Sequence, residues 1–153
     1  MDDIWFMKLA LEQAELAYQA NEVPVGAVVV SSDGKILSSR CNTKEQDFDP
    51  CGHAEILALR EAAQREKAWR LTGCKMYVTL EPCMMCLAAM GHARIDELIF
   101  GAYDPKGGAL SLGYSFHTDT RVNHRFSVKG GILEFDCSKI LSQFFREQRS
   151  LYR

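Results

Sequence analysis

The chain has 153 residues, 47% of them hydrophobic and 25% charged, with a formal net charge of −2 at pH 7. That is the length and composition of one soluble globular domain over residues 1–153, able to bury roughly 70% of its unfolded surface and in no need of disulfide staples. No apolar run approaches the 18 or so residues of a membrane span, and the acidic start "MDDIWFMK" is unlike a secretory signal, so a cytoplasmic protein without a membrane partner is expected.

In chain order, Asp2 or Asp3 can cap a first helix with an apolar stripe of Ile4, Met7, Leu11, Ala14 and Tyr18. Residues 25–30 and 36–41 then read as a hairpin turning at Asp33-Gly34. Residues 53–67 are helix-forming, with Pro50 and Gly52 punctuating their start. A short strand over 75–80 leads into a helix opening at Pro82, and a further strand is expected over 95–100. The glycine-rich "GAYDPKGGALSLGYS" follows, then a polar irregular stretch from about 112 to 125 and a short strand over 126–128. A last helix spans about 136–149. An opening hairpin followed by strands alternating with helices argues for α/β, one mostly parallel or mixed sheet covered on both faces. In such folds, sites collect at strand carboxyl ends and the helix starts beyond them.

Cysteines stand at 41, 51, 74, 83, 86 and 137. In a reducing compartment, a clustered pair serves metal binding or catalysis rather than a disulfide. Only Cys83 and Cys86 cluster, in "TLEPCMMC". At i and i+3 on a helix start they share one face, and the dipole there favours thiolates. A structural zinc would take four protein ligands, whereas a catalytic one takes three and keeps a position for water. His53 is the third ligand expected, and Glu55, two residues on at the same helix start, is placed to move protons beside the metal. A histidine at a helix start is commonly a cap, and a lone C-x-x-C can be a redox pair. Redox pairs of the thioredoxin type, however, carry proline between the cysteines and have no use for H-x-E. The combination of H-x-E with P-C-x-x-C about thirty residues downstream favours metal ligands.

On these residues the sequence resembles the zinc-dependent nucleobase deaminases, and within them the bacterial tRNA-specific adenosine deaminases. The likeness spans nearly the whole chain: "VPVGAV" at 23–28, Asn42, "HAE" at 53–55, "TLEPCMMC" at 79–86, "FGAYDPKGGA" at 100–109, "NHR" at 123–125 and "FFR" at 144–146. It implies a three-layer α/β/α fold with a central mixed five-stranded sheet. It also implies one zinc ion per subunit held by His53, Cys83 and Cys86, with Glu55 as proton shuttle. The reaction implied is hydrolytic conversion of adenosine to inosine at the wobble position of a tRNA anticodon. Asn42 would hydrogen-bond the target nucleoside, while Asp104, Lys106 and Asn123 would contact neighbouring nucleotides of the anticodon stem-loop. The family is typically a homodimer. Cys51, just before the histidine, departs from the family's usual small residue and is a conceivable rival ligand.

Independently of the resemblance, residues 1–50 hold 4 Lys/Arg against 9 Asp/Glu, whereas residues 101–153 hold 8 against 5. That asymmetry permits a polyanion partner at the C-terminal end, and equally a segregated solvated surface. Arg146, Arg149 and Arg153 form one stripe on the last helix, with Phe145 beside Arg149 as an aromatic able to stack on a base. The same arginines would answer the helix dipole, and pattern alone divides the two readings evenly. Phe144 is expected to pack inward with Ile140 and Leu141. Three rival functions remain: a zinc deaminase of free guanine, cytosine or cytidine, a zinc-stabilised RNA-binding module without turnover, and a dithiol oxidoreductase.

Overall fold

A computed structural model of the chain describes residues 1–151, so Arg153 of the basic stripe lies outside the described residues. The elements run α1 (Asp3–Gln19), β1 (Gly26–Val30), β2 (Ile36–Cys41), α2 (Ala54–Glu66), β3 (Lys75–Leu80), α3 (Met84–His92), β4 (Glu97–Ala102), β5 (Ser127–Lys129) and α4 (Glu134–Leu151). The strands form one sheet in the order β2-β1-β3-β4-β5. β1 is antiparallel to both β2 and β3, while β4 is parallel to both β3 and β5. The fold is therefore α/β with a mixed five-stranded sheet. α1 packs on β1, β2 and β3 and meets α4, whereas α2 packs on β1 and β2 and meets α3.

β1 is the pivot of this packing. All five of its residues, Gly-Ala-Val-Val-Val, are buried, as expected of a strand covered on both faces. Gly26 is needed for the approach of α1: a Cβ there would overlap the carbonyl oxygen of Ala10. Asp2 caps α1, accepting from the Trp5 N–H at 2.9 Å. The buried face of α1 is Phe6, Met7, Ala10, Ala14 and Ala17, which shares Met7 and Ala14 with the stripe expected but not Ile4, Leu11 or Tyr18. Ile4 is 46% exposed, because Phe6 stacks on Tyr77 and the alanines admit close contact with β1.

Two boundaries also move. Leu87 donates its N–H to the Cys83 carbonyl, making Cys83 the cap of α3 rather than a residue within it, and the helix proper begins at Met84, two residues beyond Pro82. Gly91 lies inside that helix and His92 ends it. β4 begins at Glu97 rather than at residue 95, since Ile95 still donates to Met90 and Arg94 takes a positive φ of 62° in the turn. Phe144 and Leu141 are buried as expected, and Phe144 meets Tyr18 of α1 edge-on. Among the described residues no helix is long and apolar enough to cross a membrane.

Candidate active site

The carboxyl ends of the parallel strands β3 and β4 lie beside the start of α2, and the chemistry-bearing residues gather there, where α/β sheets place their sites. His53 caps α2 with its backbone but makes no side-chain cap bond. That role passes to Asn42, which follows β2 and accepts the Ala54 N–H through Oδ1 at 2.8 Å. The His53 ring is thereby free to face the thiols. Its Nδ1 stands 3.6 Å from Cys83 Sγ and 3.5 Å from Cys86 Sγ. All three ligand atoms lie within 4.8 Å of one another.

These distances test whether zinc fits. Tetrahedral zinc with Zn–S near 2.3 Å and Zn–N near 2.05 Å sets nitrogen and sulfur about 3.5–3.6 Å apart. The observed spacings match, and the donor set is that of a catalytic site with three protein ligands. Electrostatics agree. The hydrogen bond from Cys86 is the leading cause holding the Cys83 thiol down at about 4, with His53 adding to it. The same bond, with burial, pushes Cys86 up, and a bound cation would take the proton's place. Cys51 is exposed and belongs to no metal-ligating group among the described residues. The rival ligand is thus excluded from the cluster.

Glu55 is only 4% exposed and stands outside the ligand group. Burial raises its carboxyl pKa, against the opposing pull of His53. A carboxyl poised this way can hold and release a proton during a reaction. One pocket is lined by His53, Glu55 and Cys83 together with Asn42, Asp104 and Lys44, between apolar walls from Val23, Val25 and Leu80.

The remaining expected contacts lie elsewhere. Lys106 is exposed on the loop after β4, two residues beyond Asp104. Asn123 is exposed and lines a separate cavity with Phe116, Arg94 and His124. Phe145 is 43% exposed, edge-on to Phe144, and Arg149 is exposed in the last turn of α4.

Residues 1–102 match the cytidine and deoxycytidylate deaminase zinc-binding region. The tRNA-specific adenosine deaminase of Bacillus subtilis (strain 168) is 42% identical over 147 residues, covering 96% of this chain and 91% of that one. That of Streptococcus pyogenes serotype M1 is 41% identical over 148 residues, covering 97% and 86%. The chain belongs to this deaminase family, on its tRNA-specific adenosine deaminase branch. A structure from a study of A-to-I editing by tRNA:A34 deaminases at the wobble position of transfer RNA superposes with a TM-score of 0.85, at 42% identity over 90% of this chain and 99% of that one. A guanine deaminase from Bacillus subtilis reaches 0.65 at 33% identity, over 75% and 72%.

Sequence reading of this deaminase missed two residues that line the pocket and a third that holds one of its loops. Lys44 lines it from the loop after Asn42. Glu81 sits inside the quoted "TLEPCMMC" motif, lines the pocket and is 2% exposed. Glu22 is equally buried at 2% and bonds the loop that carries Lys44. The signal for Glu81 was present, since a carboxylate ending a buried strand needs partners, but those partners lie far along the chain.

Proposed function

We propose that this chain hydrolyses adenosine to inosine at the wobble position of a tRNA anticodon, releasing ammonia. The observation that carries the reading is the convergence of His53, Cys83 and Cys86 at zinc-ligand spacing, with the unliganded, buried Glu55 beside them. Zinc held there supplies a Lewis acid and an activated water at neutral pH. Glu55 takes one proton of the attacking water to the ring nitrogen adjoining the carbon under attack, then takes the second, from the hydroxyl now on that carbon, to the departing amino group, which leaves as ammonia. Asn42 holds the nucleoside with its amide nitrogen while its oxygen stays on Ala54. Val25 and Leu80 enclose a flat base and exclude bulk water.

The remaining parts of the reading are one zinc per chain, a single deaminase domain over residues 1–153, a homodimer and a cytoplasmic setting. Asp104, Lys106, Asn123, Phe145 and Arg149 would take the nucleotides flanking the target. What supports the RNA reading is the branch of the family and the exposed Arg146 and Arg149 on α4.

The test incubates the purified protein and a Glu55→Ala variant with an anticodon stem-loop carrying a wobble adenosine, in parallel with free adenosine, guanine and cytidine. Nucleoside mass spectrometry reads the products. Inosine in the RNA alone, and none from the variant, is expected. Deamination of a free base or nucleoside alone would keep the chemistry and overturn the substrate. No product despite bound zinc would favour a zinc-stabilised binding module.

A further inference from the structure

We propose that two buried carboxylates, Glu22 and Glu81, are positioning residues that each clamp one lip of the substrate pocket in its binding conformation. The proposal rests on the pocket being the adenosine site described above. Both side chains are 2% exposed, and neither belongs to an ion pair among the described residues. A buried carboxylate without a cation is costly unless several donors satisfy it.

Here the donors come from the two loops that flank the pocket. Glu22 accepts the Glu45 N–H at 3.0 Å and the Gln46 N–H at 2.6 Å. Those amides belong to the loop joining Asn42 to His53, which also carries Lys44. Glu81 accepts the Asp104 N–H at 3.0 Å, the Ser111 N–H at 2.8 Å and the Ser111 hydroxyl at 2.6 Å. All four of these amides find no backbone acceptor among the described residues, so the carboxylates satisfy them, alongside the bonds each loop makes within itself, such as Asp49 N–H to the Lys44 carbonyl and Gly108 N–H to the Asp104 carbonyl.

The surrounding backbone is built for the contacts. Asn21 takes a positive φ of 60° after α1, and Glu22 donates back to Ala17, which turns its side chain inward. Gly108 lies so close to the Glu81 carboxylate that a Cβ there would overlap it. Ala109 adds a bond from its N–H to the Pro82 carbonyl at 2.8 Å. Lys44 on one lip and Asp104 on the other line the pocket, so fixing the lips fixes its mouth.

An apolar side chain at either position would leave these loop amides without an acceptor, so the carboxylates order the loops as well as fill the space beneath them. Preset lips spare an incoming nucleotide the cost of ordering them, which shows as substrate affinity rather than as proton transfer. Glu22 and Glu81 thus act through the loops and not on the reacting atoms.

The test uses the zinc-loaded full chain with Glu22→Gln, Glu81→Gln and the double replacement, each keeping shape while setting an amide N–H₂ against a backbone N–H. The expected result is a rise in KM for the stem-loop of about tenfold per variant, the size of one lost buried hydrogen bond, with kcat falling less than KM rises. The two effects multiply in the double variant because the loops are separate. Zinc content stays at the wild-type level. Amide hydrogen exchange accelerates over residues 43–49 in Glu22→Gln and over 104–111 in Glu81→Gln, each confined to its own loop. Gly108→Ala, which displaces the second loop without altering a carboxylate, should reproduce the Glu81→Gln profile. Unchanged KM and unchanged loop exchange, with only a lower melting temperature, would overturn the proposal and leave the carboxylates structural. Failure of the wild type to deaminate the stem-loop would refute the proposed substrate instead, and the exchange pattern would still decide whether the clamps exist.

Discussion

Asn42 caps α2 and is proposed to hold the nucleoside as well, and a pair of substitutions separates the two roles. Its Oδ1 accepts the Ala54 N–H at 2.8 Å, the first amide of α2, between His53 and Glu55. The side chain is 9% exposed, so Asn42→Ala leaves that N–H without a partner in a buried site. An unsatisfied buried donor costs about 1–3 kcal/mol, in line with the loss of a helix cap. For a chain of this size that lowers the melting temperature by roughly 2–12 °C. Zinc should also bind more weakly, because the fraying turn carries His53. Asn42→Asp keeps an acceptor over the helix start and should recover at least half of the lost stability. It removes the amide donors, so deamination should stay depressed by about tenfold or more, the worth of a charge-assisted or well-buried hydrogen bond. Urea unfolding, zinc competition with a chelating dye and initial rates read the three quantities. If Asn42→Ala is as stable as wild type, or Asn42→Asp no more stable than Asn42→Ala, the capping role is wrong.

Cys86→Ser should abolish tight zinc binding, and a chelator should lower the melting temperature of wild type but not of this variant; with zinc at a hundred times its dissociation constant the difference is about 2.7 kcal/mol. Asp3 joins α1 to the sheet through the Lys129 ammonium and the Tyr77 hydroxyl, both at 2.7 Å. Burial pushes its carboxyl up, but those two bonds outweigh it and leave the group below its ordinary value. A depressed folded value contributes stability above the unfolded value, and that contribution is lost as pH falls through the folded one. Asp3→Asn should therefore cost about 1 kcal/mol in urea unfolding at pH 7, and the gap to wild type should close below about pH 4; a constant gap would refute the linkage. Gly26→Ala forces α1 away from β1 and should destabilise by about 2 kcal/mol or more, read as a drop in the urea midpoint at unchanged slope.

The sheet, the hairpin and the helices were legible because their signals are local. β1 is a continuous apolar run and α2 a run of strong helix formers, and neither needs a distant partner to be recognised. The metal site was legible for a similar reason: His53 with Glu55, and Cys83 with Cys86, are short-range pairs whose chemistry narrows the options. The helix start at Cys83 was misplaced because Pro82 favours a first turn locally, whereas its carbonyl is engaged by Ala109 on a loop 27 residues on. The α1 stripe was read correctly at Met7 and Ala14 but missed Ala10 and Ala17, because periodicity cannot tell that alanines let α1 sit against Gly26.

Glu22 and Glu81 mark the limit of sequence reading from a different side. Their partners lie 23 to 30 residues away, and apart from the Ser111 hydroxyl those partners are backbone amides that any residue but proline supplies. No pattern of side-chain types announces such a bond. A carboxylate placed to satisfy loop amides therefore reads in sequence as ordinary surface charge, and only its burial distinguishes it. The candidate site of His53, Glu55, Cys83 and Cys86 survives translation into one dimension because it is made of side chains. The shape of the mouth through which its substrate enters is made largely of backbone, and it becomes visible only once the strands have brought Glu22 and Glu81 beneath their loops.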